Sequence, residues 1–166
     1  GITSGYIPLG ATLISDEIYD VISRPQCEGG VFSMGLTYFG HPVACRAALK
    51  NIEIIEQEGL LGRAREMGGY LQAAAQDLSG MPFVGNVRGD GLMLAVDLMA
   101  DPKTKKPFPI STQAGGKVFK SCVDQGVIVR PVGDKIILSP PLVISNQEID
   151  QVLSCLRSGI NDLEKG

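Results

Sequence analysis

The sequence predicts a mixed chain, α/β over its first forty residues and α+β thereafter, in which the edge of one domain precedes a smaller domain that is complete. Three observations predict it. A small, apolar, β-compatible run from Leu9 to Ile14 follows a Gly/Ser/Pro loop, the composition of a strand buried on both faces. Two helical patterns then succeed one another after Pro42 with little strand signal between them. Finally, two turn-bounded strand pairs alternate with helical patterns to the end of the chain, which is how a small sheet covered by helices reads.

Taken in order, Ser15-Asp16-Glu17 opens a short helical turn, and Gln26 to Gly40, with Gly29, Gly30, Gly35 and Gly40, has no sustained period. A loop of that length inside a compact protein is often functional. Pro42 suits the first turn of a helix, and Ala44, Ala47, Ala48, Ile52 and Ile55 recur on one face until Gly59 interrupts them. A second amphipathic stretch aligns Leu61, Ala64, Met67, Leu71, Ala74 and Leu78 before Gly80 ends it.

Between residues 83 and 100 the apolar run Leu92 to Met99 is reached through Arg88-Gly89-Asp90-Gly91, and turn chemistry there predicts a hairpin. Ala114, Val118 and Cys122 mark a helix that stops at Gly126. Val127 to Arg130 and Lys135 to Leu138 are expected as two strands around Pro131-Val132-Gly133-Asp134. Ser145-Asn146-Gln147-Glu148 is a capping box, whose two side chains satisfy each other's free backbone donors. Ile149, Val152, Leu153, Leu156, Ile160 and Leu163 follow on one face. That helix should pack across the small sheet.

A chain of 166 residues, 44% apolar and 20% charged, has the composition of a globular protein with a real core. No apolar run approaches the roughly 18 residues that span a bilayer, and the start lacks a basic segment followed by an apolar one. A cytoplasmic location is the expectation. With 15 basic against 18 acidic side chains and no dense basic face, long-range attraction to phosphate backbones is weak, and nucleic acid is not an expected partner. Lys103, Lys105 and Lys106 lie between prolines and read as a solvated loop. Cys27, Cys45, Cys122 and Cys155 are widely spaced, without a C-x-x-C pair. Buried free thiols are expected, not a metal site or a disulfide framework.

Gly35-Leu36-Thr37-Tyr38-Phe39-Gly40-His41-Pro42 is a glycine-bounded loop leading into a helix N-terminus. Such ends collect unpaired backbone donors and partial positive charge, which suits a phosphate with Thr37 adding a hydroxyl. The competing reading is that Thr37 or His41 merely caps the helix. His41 is the only histidine, so neither a multi-histidine metal site nor a triad needing a second histidine can be built here; a capping or packing role outweighs general-base work. Arg130 ends an otherwise apolar strand before a Pro/Gly turn. There its guanidinium either binds a carboxylate with two hydrogen bonds or is an ordinary strand-end charge or ion pair. Arg88 reads as fold support, Gly89 and Gly91 as suppliers of positive φ, and Asp16 and Glu17 as first-turn helix charges.

Four segments in order resemble the class III (subgroup II) aminotransferases, the ω-amino acid and amine transaminases of pyridoxal-phosphate fold-type I. Gly1 to Ala11 is similar to the segment after the Schiff-base lysine, and Thr37 to Pro42 with Ala44-Cys45 is similar to T-Y-x-G-H-P-x-A-C. Val87 to Leu92 resembles R-G-x-G-L, and Arg130 to Leu142 resembles the C-terminal signature. The resemblance implies that residues 1–41 end a large cofactor-binding domain, 42–59 form a connecting helix and 60–166 form the small C-terminal α+β domain. It further implies pyridoxal phosphate as cofactor, with Thr37 and Tyr38 at the cofactor and Arg130 at the substrate carboxylate. Thr37 would reach the phosphate of the neighbouring subunit, which makes the site a composite of a homodimer. No catalytic residue is assigned in this chain, because the resemblance puts the lysine immediately before Gly1. The expected reaction moves an amino group from an ω-amino acid, diamine or primary amine to a keto acid. A decarboxylase or aminomutase of the same fold, or a non-catalytic dimerisation or binding fragment, stays open beside it.

Overall fold

A computed structural model describes residues 1–24 and 34–165, and divides the chain into two compact units, Gly1–Glu58 and Gly59–Gly166. Cys27 and the first part of the expected Gln26 to Gly40 loop lie outside the described residues.

The first unit is built on α2, Pro42–Gln57, which starts where Pro42 predicts. It buries Ala44 and Ala48. Asn51 Nδ2 on this helix donates to Ile2 O at 3.2 Å, and the Thr3 hydroxyl, itself buried, donates to Ile7 O at 2.6 Å. Those two bonds hold the Gly1 to Ile7 segment as a turn with Ser4 and Gly5 at positive φ. A seven-residue helix, α1, runs from Asp16 to Ile22 with Ser15 as its N-cap. Leu9 to Ile14 corrects the sequence expectation: it is not a strand, and Leu13 is 93% exposed. A strand buried on both faces needs neighbours for its backbone groups, and no described strand pairs with this one.

The second unit is one antiparallel sheet with its core on one face. Its strands are β1 (Val84–Asp90), β2 (Met93–Leu98), β3 (Arg130–Val132) and β4 (Lys135–Leu138), in the order β1-β2-β4-β3. Leu94, Val96, Leu98, Ile136 and Leu138 alternate inward. Against them pack α3 (Leu60–Ala75) through Met67 and Leu71, α4 (Ala114–Asp124) through Val118 and Cys122, and α5 (Asn146–Asp162) through Ile149, Leu153, Leu156 and Ile160. The capping box of α5 is complete: Glu148 N donates to Ser145 Oγ at 3.3 Å, while Ser145 N donates to Glu148 Oε2 at 2.8 Å. Ser145 Oγ donates to the same oxygen at 2.7 Å. No helix among the described residues is long and apolar enough to cross a membrane.

Glycine lets α3 approach the β1–β2 hairpin closely. A Cβ on Gly68 would lie 2.6 Å from the Gly91 backbone, and one on Gly89 would run into Met93 O and the Gln72 side chain. Gln72 Nε2 bridges this contact, donating to Gly91 O at 2.9 Å and Met93 O at 3.0 Å. Gly91 has the expected positive φ of 52°, but Gly89 is needed for space and not for φ. The turn is also tighter than expected, since Arg88, Gly89 and Asp90 belong to β1 and only Gly91 and Leu92 connect the strands.

Arg130 begins a strand instead of ending one. Gly126, at φ 83°, closes α4, and Val127 N donates to Cys122 O at 2.9 Å. The helix end thus takes the amide that a strand would use, and the ladder starts only at Arg130↔Ile137. Pro131 lies inside β3, tolerated because β3 is an edge strand.

Gly89→Ala should lower unfolding free energy by about 1–3 kcal/mol through overpacking, read as a lower urea midpoint at unchanged slope. Hydrogen bonds from Ser145 N and then Ser145 Oγ hold the Glu148 carboxyl below its ordinary 4.5. A lowered folded-state value contributes stability that is present above the unfolded value and lost as pH falls through the folded one. The thermal midpoint of Glu148→Gln should accordingly fall less with acid below pH 4.5 than that of the parent sequence.

Candidate functional site

The loop into α2 settles which side chain caps the helix. His41 is the N-cap, with its Nδ1 accepting a long hydrogen bond from Ala44 N at 3.5 Å. Leu36 O accepts from Phe39 N at 3.0 Å, and Gly40 takes φ 62° to turn the chain into the helix. Thr37 is therefore not consumed by capping, and its hydroxyl has no hydrogen-bond partner among the described residues. Tyr38 beside it is 81% exposed. An exposed hydroxyl and phenol next to a helix start, with no carboxylate from Met34 to Pro42, form a donor set that fits a phosphate. This fit extends only to the anionic end of pyridoxal phosphate. Lys50, the nearest lysine in sequence, is committed to Glu53 Oε1 at 2.7 Å.

Arg130 sits at the start of edge strand β3, in the second unit. It pairs across the ladder with Ile137, so the two side chains share the sheet face opposite the buried Ile136 and Leu138. Among the described residues its guanidinium has no ion pair. Both residues line a cavity of about 520 Å³, with apolar walls from Val127, Val129 and Ile144. Arg88, on the same outward face, differs: its Nη2 meets Asp97 Oδ1 at 3.2 Å across the β1–β2 ladder, the fold support expected of it.

The remaining candidates separate cleanly. Asp16 and Glu17 are first-turn residues of α1. Asp101 accepts from Lys103 N, Thr104 N and Thr104 Oγ, which lowers its carboxyl and folds the lysine-rich loop onto itself. Cys45, Cys122 and Cys155 are free, and burial, with Cys155 nearby, pushes the Cys122 thiol up to about 11. A thiol so protonated is no nucleophile. No group of three His, Cys, Asp or Glu among the described residues could hold a metal. Sequence reasoning missed Asn51, Gln72 and Thr3, because a single amide or hydroxyl carries no periodic signal.

Comparison with known proteins identifies the family. The family model described as Aminotransferase class-III matches residues 1–160. The chain is 40% identical over 158 residues to the putrescine–pyruvate aminotransferase of Pseudomonas aeruginosa, covering 95% of this chain and 34% of that protein. It is 38% identical over 165 residues to the adenosylmethionine-8-amino-7-oxononanoate aminotransferase of Aquifex aeolicus, covering 99% and 36%. Among solved structures it is similar to a PLP-bound amine transaminase from an uncultivated Pseudomonas species, at 41% identity and a TM-score of 0.92, over 98% of this chain and 37% of that one. The chain thus spans about a third of the length of the relatives it matches.

In the folded protein Cys122 should resist alkylation by iodoacetamide near neutral pH and react once the chain is denatured. Mass spectrometry of the tryptic peptides reads this directly, and rapid labelling of native Cys122 would contradict its burial.

Proposed function

Because the chain belongs to the class-III aminotransferases, a family that uses pyridoxal phosphate, we propose that it supplies the carboxylate-recognising unit and a cofactor-phosphate contact of a transaminase. That enzyme moves an amino group from an ω-amino acid, diamine or primary amine to a keto acid. Its similarity to a putrescine–pyruvate aminotransferase supports the diamine and keto-acid end of that range. The enzyme works as a cytoplasmic homodimer, with Thr37 of one copy serving the site of the other.

When bound, pyridoxal phosphate supplies the carbonyl group and the electron sink that amino transfer requires. This chain's own residues bind and orient. The Thr37 hydroxyl donates to the cofactor phosphate, and Tyr38 shapes the turn that presents it. Arg130 holds the substrate carboxylate with paired N–H donors, and moves aside when the substrate end is uncharged. One pocket can then serve both an acidic and a neutral amine. The observation that carries this reading is Arg130, which lines an apolar cavity and whose guanidinium has no ion pair among the described residues.

The lysine that bonds the cofactor is assigned, by the resemblance, to the position preceding Gly1, and Lys50 is already engaged by Glu53. The 166-residue chain alone should consequently show no transaminase activity, and borohydride treatment with pyridoxal phosphate should fix no stoichiometric cofactor. Joined to the N-terminal portion that its relatives possess, Thr37→Ala should weaken cofactor retention about tenfold, the worth of one charge-assisted hydrogen bond, read by equilibrium dialysis. In the same enzyme Arg130→Ala should raise the keto-acid KM about 10- to 100-fold, while turnover of a primary amine lacking a carboxylate changes little. An unchanged keto-acid KM would remove Arg130 from the site.

A further inference from the structure

We propose that Lys135 is a second carboxylate-recognising residue: with Arg130 it receives the two ends of a short dicarboxylate on the outward face of the sheet, and so admits a dicarboxylic keto acid as amino acceptor. The inference rests on the reading of Arg130 given above and adds a residue and a substrate class to it. In the β3–β4 ladder Arg130 pairs with Ile137, and Val132 pairs with Lys135. Alternation puts all four side chains on the face opposite the buried Ile136 and Leu138. They mark the corners of a square: the two cations stand on one diagonal, about 7–8 Å apart, and two apolar side chains stand on the other. Arg130, Val132 and Lys135 are exposed, and Ile137 is half-buried.

Charge on this face is not balanced from within. Asp97 on β2 is the register partner of Lys135, but its carboxylate is taken by Arg88 Nη2 at 3.2 Å, and its side chain is only 13% exposed. Asp134, in the β3–β4 turn, is directed to Gly115 N at 3.5 Å. Asp90 lies on the far border strand, opposite Met93. Arg130 and Lys135 are thus left without an ion pair among the described residues. Two like charges held on one diagonal repel unless an anion lies between them. A dianion with one carboxylate at each cation cancels both, and its methylenes fall between Val132 and Ile137. A monocarboxylate of the same length satisfies Arg130 and leaves Lys135 unmatched. One charge-assisted hydrogen bond separates the two acids, about 10- to 100-fold in affinity.

The test uses the enzyme completed by the N-terminal portion that its relatives possess. With one amine donor, the KM for 2-oxopentanedioate should lie about tenfold or more below that for 2-oxopentanoate, which has the same chain and a single carboxylate. Calorimetry with the unreactive pair glutarate and pentanoate should show the same preference without turnover. Lys135→Gln, or Lys135→Met should the former fail to fold, should bring both ratios to within about twofold, and Lys135→Arg should keep them. A parent enzyme without the preference, or a Lys135→Gln enzyme that retains it, would overturn the proposal and leave Arg130 to be judged by Arg130→Ala. Equal weakening toward both keto acids would overturn it too, because that marks a lysine that merely supports the sheet beside Asp97. No response of either KM to Arg130→Ala would remove Arg130 and the two-ended grip together, so the two failures are told apart by which variant is silent.

Discussion

The two-residue period of one small sheet fixes the placement of the second unit's side chains. Leu94, Val96, Ile136 and Leu138 must point into the core for three helices to have anything to cover. With strands of period two, that requirement sends Arg88, Asp97, Lys135, Ile137 and Arg130 to the other face. A slip of one residue in β4 would bury Ile137 and expose Ile136. Two contacts hold the register. On one side the Gly68 and Gly89 approach, bridged by Gln72, locks the hairpin under α3. On the other, Gly115 packs against the Gly133 carbonyl and its amide points to Asp134 Oδ1 at 3.5 Å, which seats α4 on the β3–β4 turn.

What the sequence disclosed and what it withheld follow from the range of each signal. Pro42 at the start of α2, the Ser145–Glu148 box and Gly126 at the end of α4 act within one helical turn, and all three sit where their chemistry places them. Leu9 to Ile14 looked like a strand because strand propensity is local, whereas strand existence depends on a neighbour. Arg130 moved from the end of a strand to its beginning because the carbonyls of α4 claimed Val127 first. Gly89 was legible as a glycine but not as a space, since the crowding comes from Met93 O on the neighbouring strand and from Gln72 on a helix before it.

The candidate site was partly readable in the same sense. Composition and spacing alone left Thr37 and His41 as rival caps. Geometry separated them by giving the cap to His41, and a hydroxyl spared from capping is available for something else. Likewise Arg88 and Arg130 were both strand-end arginines in sequence, and only the cross-strand neighbour tells them apart. Arg88, whose register partner is Ala95, reaches the diagonal Asp97, whereas Arg130 faces Ile137.

Of the sheet's two open borders, β1 and β3, the proline within β3 has a consequence for the second. That border is three residues long, and Pro131 brings no N–H to it. An unrelated extended chain trying to zip alongside would find too few donors in line to gain a foothold. The shortness that makes β3 look like a weak strand therefore guards this side of the sheet against intermolecular stacking, and it leaves the arginine at its head clear of any such intruder.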